Sequence, residues 1–236
     1  MPSPPGPPQP QRRDVVVPRG RVRLAGTLLL PAGDGPWPCV VFVHGRGSSK
    51  ESPRNAAIAW RLADHGIAAF LFDLSGHGES TPDPGRGDEA FVDDTAAGFE
   101  WATRQPELEP HRIGVAGSSL GAVVALDATL AERVTPAALA LRAPPIDPGA
   151  LDRLTVPALV VIGSGDPLLP WVRSAAERCP LARLLVVRGA GHLFDEPGTL
   201  EEVVRETVRW FEARLAVEPV AVADEQESSE WRGGAR

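Results

Sequence analysis

Blocks of apolar and polar residues alternate along this chain, and their lengths and periods predict strands and helices that follow one another in turn. Residues 15–17 and 21–30 predict an antiparallel pair of strands joined by a turn at 18–20. Uninterrupted apolar runs at 39–43 and 158–162 are typical of strands that helices cover on both faces. Further strands are predicted at 67–72, 112–116, 137–141 and 184–187, and helices at 56–64, 89–104, 120–133, 171–177 and 200–215.

The order of these elements predicts an α/β fold, in which a mostly parallel central sheet carries helices on both faces. The length of 236 residues suits one domain of this kind. We assign residues 14–216 to that domain, and we predict that the proline-rich start at 1–13 and the acidic end at 217–236 are disordered tails. Functional groups gather on loops at the carboxyl ends of parallel strands, so we expect the chemistry there.

The composition argues against several classes of function. The net charge is −7 and the arginines are scattered among acidic residues, so nucleic acid is not an expected partner. Cys39 and Cys179 are too far apart for a metal or redox motif, and both are expected to be reduced, structural thiols. The start of the chain lacks the apolar core of a signal peptide, and no later run is long enough to cross a bilayer. We therefore expect no membrane partner and a cytoplasmic location.

A serine in a G-x-S-x-G motif is the first candidate for catalysis. The motif, Gly117-Ser118-Ser119-Leu120-Gly121, directly follows the strand predicted at 112–116 and precedes a predicted helix. This strand-turn-helix context exposes the serine hydroxyl, while the glycines remove side chains that would collide with neighbouring elements. A glycine-flanked serine also occurs by chance, so the motif needs partners elsewhere in the chain before Ser119 is taken as a nucleophile.

Two later loops supply a base and an acid. Asp166 ends the loop after the strand at 158–162, and His192 ends the loop after the strand at 184–187. The resulting order of serine, aspartate and histidine is that of a hydrolase triad, in which His192 is the general base and Asp166 orients it. Asp166 alternatively forms a turn ahead of Pro167, and Asp195 is a rival acid on the histidine's own loop.

A second motif, at residues 44–49, follows the strand at 39–43 and resembles the HG-type oxyanion loop of esterases, which implies donors for a developing oxyanion. Backbone N–H groups stabilise such charge best when they are already oriented towards it. We predict the N–H groups of Leu120 and Arg46 as these donors, with Gly47 as the alternative to Arg46. His44 itself is interpreted as a residue that braces the loop, in preference to a proton-transfer group.

These loops resemble the α/β-hydrolase superfamily, and within it the dienelactone-hydrolase-like branch, over residues 14–216. Residues 72–80 resemble the D-x-x-G-H-G-x-S turn of the superfamily, which we interpret as structural. Dienelactone hydrolases have a cysteine nucleophile, whereas position 119 is serine. The resemblance therefore implies a serine hydrolase that acts on ordinary carboxylic esters, without metal or organic cofactor. An acyltransferase, a thioesterase, a peptidase and a non-catalytic binding module remain alternatives.

The spacing of the motifs also predicts the shape of the site. Only 47 positions separate Ser119 from Asp166 (166 − 119), which leaves no room for a helical lid domain. We expect an open cleft with walls from residues 46–54, 142–151 and 168–171, suited to a small-molecule ester with a short or extended acyl group. Trp171 either lines this cleft or packs against the fold.

Overall fold

A computed structural model describes residues 9–216, in which an initial hairpin is followed by strands that alternate with helices, except for two successive strands in the second half. The strands are β1 (Gln11–Arg19), β2 (Val22–Leu30), β3 (Trp37–Val43), β4 (Ala68–Phe72), β5 (Leu108–Ser118), β6 (Leu139–Arg142), β7 (Ala158–Gly163) and β8 (Ala182–Val187). The helices are α1 (Pro53–Asp64), α2 (Ala90–Thr103), α3 (Leu120–Leu130), α4 (Leu169–Arg178) and α5 (Thr199–Leu215).

All of these strands form one sheet in the order β1-β2-β4-β3-β5-β6-β7-β8. β2 is antiparallel to both of its neighbours, and the pairs from β4 to β8 are parallel. The α/β class with a mostly parallel sheet is thus confirmed. Residues 143–157, between β6 and β7, form turns without a helix, so no cap domain is inserted there.

The central strands are buried on both faces, which explains their uninterrupted apolar sequences. Every residue of β4, β6 and β7 is buried, and β3 is buried from Pro38 to Val43. Because β3 to β8 point the same way, their carboxyl ends meet at one edge of the sheet. The loops that carry the predicted motifs therefore all open on that edge.

The predicted start of the domain, at residue 14, is wrong by three residues. β1 begins at Gln11, and residues 11–13 pair with Leu28–Leu30 of β2. Arg12 and Arg13 also form ion pairs with Glu51 and Glu107. The polar sequence of residues 11–13 concealed this segment, because an edge strand can leave its side chains exposed. The remainder of the predicted tails, 1–8 and 217–236, lies outside the described residues.

Other boundaries differ where the signal is not an apolar pattern. α1 begins at Pro53 rather than residue 56, since Ser52 caps the helix by accepting a hydrogen bond from the Asn55 N–H. β5 extends back to Leu108. Cys39 and Cys179 are buried free thiols, as expected. Among the described helices, none combines the length and the apolar character that a bilayer span requires.

Candidate active site

Ser119 occupies the turn between β5 and α3, where its φ is 50° and its ψ is −120°. A positive φ at a residue with a side chain is uncommon and costs on the order of 1–3 kcal/mol. A Cβ on Gly117 would lie 2.4 Å from the carbonyl oxygen of Gly121, and one on Gly121 would lie 2.2 Å from that of Val43. Backbone approaches this close require glycine at both positions, and they hold the serine in its strained conformation.

Three predicted residues meet at this turn. His192 Nε2 lies 3.2 Å from Ser119 Oγ, and His192 Nδ1 lies 2.7 Å from Asp166 Oδ2. Since the carboxylate only accepts, Nδ1–H donates to it and Nε2 is left to accept from the serine hydroxyl. The other oxygen, Asp166 Oδ1, accepts from the Leu168 N–H at 2.9 Å. Asp166 therefore forms the turn ahead of Pro167 and contacts the histidine at the same time.

The aspartate and histidine loops are joined by backbone contacts that the sequence did not indicate. A Cβ on Gly163 would lie 2.2 Å from the carbonyl oxygen of Ala190. The Gly165 N–H donates to that same carbonyl at 2.8 Å, and the Gly189 N–H donates to Ser164 Oγ at 2.8 Å. These contacts fix the two loops relative to each other, and Asp166 is buried, with 3% of its surface exposed.

The rival acid, Asp195, has a different partner. Arg54 Nη2 lies 2.6 Å from Asp195 Oδ1, and Arg54 Nε donates to the Leu193 carbonyl at 2.6 Å. Arg54 therefore ties the histidine loop to α1. Asp195 is held in that contact and Asp166 is the carboxylate that His192 meets.

The two predicted sources of oxyanion donors flank Ser119. The Ser48 N–H returns to the Gly45 carbonyl at 3.2 Å, which places Arg46 and Gly47 at the centre of a turn. A Cβ on Gly45 would lie 3.5 Å from Ser119 Cβ, so this turn passes directly beside the serine. On the other side, the first N–H groups of α3 to reach the Ser119 carbonyl are those of residues 122 and 123. The Leu120 N–H precedes these helical bonds and remains free for another acceptor.

His44 lies beneath this turn and is buried, with 1% of its surface exposed. Its Nε2 accepts from the Leu74 N–H at 3.0 Å, and its Nδ1–H donates to the Gly45 carbonyl at 2.8 Å. Burial lowers the pKa of His44, because the charged imidazolium is poorly solvated there, and the neighbouring His77 adds to the shift. A neutral ring with both nitrogens occupied agrees with the interpretation of His44 as a bracing residue.

The turn at residues 72–80 supports the same loop through Asp73, which the sequence did not single out. Asp73 Oδ1 accepts from the Lys50 N–H at 2.6 Å and Oδ2 from the Glu79 N–H at 2.9 Å. A Cβ on Gly78 would lie 2.2 Å from Asp73 Oδ2, which requires a glycine in this turn. The turn thus connects β4 to the loop after β3, which agrees with its interpretation as structural.

Ser119 and His192 open onto a cleft of about 410 Å³. Of the predicted walls, residues 46–54 contribute, residues 142–151 contribute only at 142 and 143, and 168–171 do not. Trp171 is 56% exposed and does not line the cleft. A wider groove of about 690 Å³ between α1 and α5 contains none of the three site residues. The cleft is lined by Gly45, Arg46, Gly47, Ser48, Ser52, Arg54, Ser118, Ser119, Arg142, Ala143, His192 and Leu193.

Sequence reasoning missed Leu193, which lies outside the predicted walls and motifs, and it did not single out Arg54, Arg142 or Ala143 within the walls it predicted. Only their positions just after a strand or beside a motif could have indicated them. Within residues 9–216, no group of three or more histidine, cysteine or acidic side chains is placed to hold a metal ion.

A mostly parallel sheet with a strained serine between β5 and α3 defines the class of α/β hydrolases. A family model described as serine aminopeptidase, S33, matches residues 35–160. The chain belongs to this hydrolase family.

Solved structures and curated relatives agree with this class. The dienelactone hydrolase of Anabaena variabilis is 31% identical, with a TM-score of 0.77 over 87% of this chain and 99% of that one. Est1E of Butyrivibrio proteoclasticus, solved with ferulic acid, has a TM-score of 0.76 over 86% of this chain and 99% of its own, but 19% identity, and so supports the fold alone.

A relative in Mycobacterium tuberculosis, Rv0571c, is named as a candidate phosphoribosyl transferase. It is 34% identical over 211 residues, which cover 84% of this chain and 45% of that protein. This chain therefore spans less than half of the length of that relative.

The close approach of Gly121 to β3 leads to a stability prediction. We expect Gly121→Ala to lower the free energy of unfolding by at least about 1–3 kcal/mol, because the new methyl group would meet carbonyl oxygens that cannot move aside cheaply. Gly87→Ala is the matched control, since its Cβ would enter open space at an ordinary φ. Urea denaturation measures both, and equal stability of the two variants would contradict the packing argument.

The buried His44 leads to a prediction about pH. Its pKa in the folded protein lies below the ordinary value of 6.5, so the unfolded chain takes up the proton first as the pH falls. The contribution of His44 to stability is complete above pH 6.5 and is lost as the pH falls through the folded pKa. We expect His44→Gln, which keeps an acceptor for the Leu74 N–H, to weaken this pH dependence. Urea denaturation between pH 8 and 5 tests it, and unchanged slopes would argue against a buried neutral His44.

Proposed function

We propose that this protein is a serine hydrolase that cleaves carboxylic esters through an acyl-enzyme on Ser119. The observation that carries the proposal is the continuous contact from Ser119 Oγ to His192 Nε2 at 3.2 Å and from His192 Nδ1 to Asp166 at 2.7 Å. A serine hydroxyl is a weak nucleophile at neutral pH, and it needs a base that a third group holds in the correct tautomer. The family supports hydrolysis, and the three side chains provide a nucleophile, a base and an acid that orients the base.

In the first half of the reaction, His192 Nε2 takes the hydroxyl proton while Ser119 Oγ attacks the ester carbonyl carbon. Asp166 stabilises the imidazolium that forms, since its carboxylate already accepts from Nδ1–H. The tetrahedral intermediate then collapses, and His192 returns the proton to the leaving alcohol. In the second half, His192 removes a proton from water, which attacks the acyl group and releases the acid.

The oxyanion of each tetrahedral intermediate would be bound by backbone N–H groups. Leu120 offers the donor at the start of α3, and the turn beside Ser119 offers that of Arg46, with Gly47 as the alternative. The positive end of the α3 dipole favours negative charge at the same place. Donors carried by backbone are already oriented, so they need no rearrangement as the charge develops.

The family description suggests a second candidate, an aminopeptidase. Such an enzyme must bind the ammonium group of a peptide's first residue, which requires an acidic side chain or a set of carbonyl acceptors. The described lining of the cleft contains no aspartate or glutamate and three arginines, Arg46, Arg54 and Arg142. The charge of the cleft therefore favours ester cleavage over release of an amino-terminal residue.

The nucleophile is tested first by substitution. We expect Ser119→Ala to lose hydrolysis of 4-nitrophenyl acetate and labelling by a fluorophosphonate probe, because no other hydroxyl contacts His192 in the described residues. Ser174→Ala, at a half-buried position on α4, is the matched control and should keep both properties. Cleavage of alanine 4-nitroanilide, which carries a free ammonium group, at a rate similar to the ester would favour the peptidase, and labelling of the alanine variant would overturn the assignment.

The choice between the two acids is tested separately. Asp166→Asn should lower kcat by about 10⁴-fold, because an amide at this position favours the wrong histidine tautomer. Asp195→Asn should cause a far smaller loss, since an ion pair near the surface contributes about 0–1 kcal/mol. Steady-state kinetics on 4-nitrophenyl acetate measure both. The reverse order of effects would make Asp195 the functional acid.

A further inference from the structure

Three arginines line the cleft, and they differ in their ionic partners. Arg46 pairs with Asp88, and Arg54 pairs with Asp195 at 2.6 Å. Arg142 is the most buried of the three, with 8% of its surface exposed, yet no aspartate or glutamate within residues 9–216 forms an ion pair with it. Arg142 thus lines the same cleft as Ser119 without a compensating charge from the described protein.

Arg142 is fixed at the floor of the cleft by two contacts. Its carbonyl accepts from the Ser119 N–H at 2.8 Å, and its Nη2 donates to Asn55 Oδ1 at 2.6 Å. The backbone of Arg142 is therefore held against Ser119, and its guanidinium is held by the first turn of α1. A guanidinium has five N–H donors, and Asn55 is the only described side-chain or backbone acceptor that it contacts.

The unused donors of Arg142 are not sealed inside the core. Within residues 9–216, no donor of Arg142 is both sealed from solvent and without an acceptor. Behind the guanidinium is a small cavity of about 10 Å³, which is barely enough for one water molecule. Any larger partner must therefore approach from the cleft, whose volume of about 410 Å³ suits a small organic molecule.

The electrostatic cost of this arrangement is considerable. A buried charge without a counter-charge is unfavourable by several kcal/mol, and such charges are normally paired. Burial, together with the neighbouring positive charge of Arg54, lowers the pKa of Arg142 to about 10, which still leaves it charged at neutral pH. An anion in the cleft would relieve this cost, and it would also meet the positive end of the α1 dipole beside Ser52.

We propose that the cleft selects esters that carry a carboxylate, and that Arg142 is the residue that determines this specificity. The inference rests on the proposed ester hydrolysis at Ser119. A planar guanidinium binds a carboxylate through charge-assisted hydrogen bonds, which are about twice as strong as neutral ones. The carboxylate of such a substrate belongs to either its acyl part or its alcohol part, a few ångströms from the scissile carbonyl.

Matched pairs of substrates test the proposal. On the acyl side, mono-4-nitrophenyl glutarate is compared with its neutral methyl ester, and on the alcohol side 4-acetoxybenzoate is compared with methyl 4-acetoxybenzoate. We expect the carboxylate to raise kcat/KM by about tenfold or more in one of the two pairs. Arg142→Met should then lower the ratio of charged to neutral kcat/KM by about 10- to 100-fold. A general loss of activity lowers both kcat/KM values equally and therefore leaves their ratio unchanged.

Three controls make the result specific. Arg104→Met removes an exposed arginine that pairs with Glu100 at the end of α2, and it should leave the ratio unchanged. Arg142→Lys keeps the charge and should retain part of the preference for the charged ester. This variant replaces Arg142→Met as the test if the methionine variant does not fold. Added salt should reduce the preference for the charged ester only slightly. Salt screens exposed charges strongly, but this site is partly shielded from solvent.

Several outcomes would overturn the proposal. Equal kcat/KM within both substrate pairs would do so, and so would an Arg142→Met variant that slows both members of a pair equally, since that is the effect of a purely structural arginine. If none of the four esters is cleaved, the proposed hydrolysis fails instead. Calorimetric titration with glutarate then decides the anion site: binding that depends on Arg142 supports it, and absence of binding refutes it.

Discussion

The close packing of the turn around Ser119 determines the geometry of the whole site. Gly121 places the start of α3 against the carbonyl of Val43, and the Ser119 N–H bonds to the Arg142 carbonyl at 2.8 Å. The serine is thereby held between the ends of β3 and β6. This one constraint sets its distance from the oxyanion loop, from His192 and from the guanidinium that we assign to substrate selection.

Buried polar groups stabilise the loops around that turn. His44 and Asp73 each join the loop after β3 to the turn after β4, and both side chains use their polar atoms in hydrogen bonds. Burial makes such bonds stronger, and it also makes the loss of one partner costly. Rigid support of this kind suits backbone donors, whose contribution to catalysis depends on being oriented before the charge develops. His44 thus contributes by holding the backbone of Gly45 and Leu74 in place.

Features with local signals in the sequence could be predicted in their position within the fold. Each of the residues Ser119, Asp166 and His192 follows an apolar strand in a short glycine-containing loop. Because the carboxyl ends of parallel strands meet at one edge, the sheet brings these loops together whatever the exact bounds of the strands. Arg142 has no such signal. Its proposed role depends on its contact with Asn55, on its position in the cleft lining, and on the lack of an ion-pair partner among the described residues. Likewise, only the pairing of residues 11–13 with β2 reveals that the polar start of β1 is a strand.

The lining of the cleft is positively charged, whereas the chain as a whole is negatively charged. This difference determines the stage at which an anionic substrate would be selected. The net charge of −7 repels anions at a distance, but salt screens such repulsion beyond roughly 8 Å at physiological ionic strength. Near Arg142 the lower dielectric and the shielding by surrounding residues strengthen the attraction. Selection would therefore act after the substrate has entered, through contacts at the floor of the cleft, and not through long-range steering. An anion bound there is also an anion placed beside Ser119, so the same contact would orient the ester for attack.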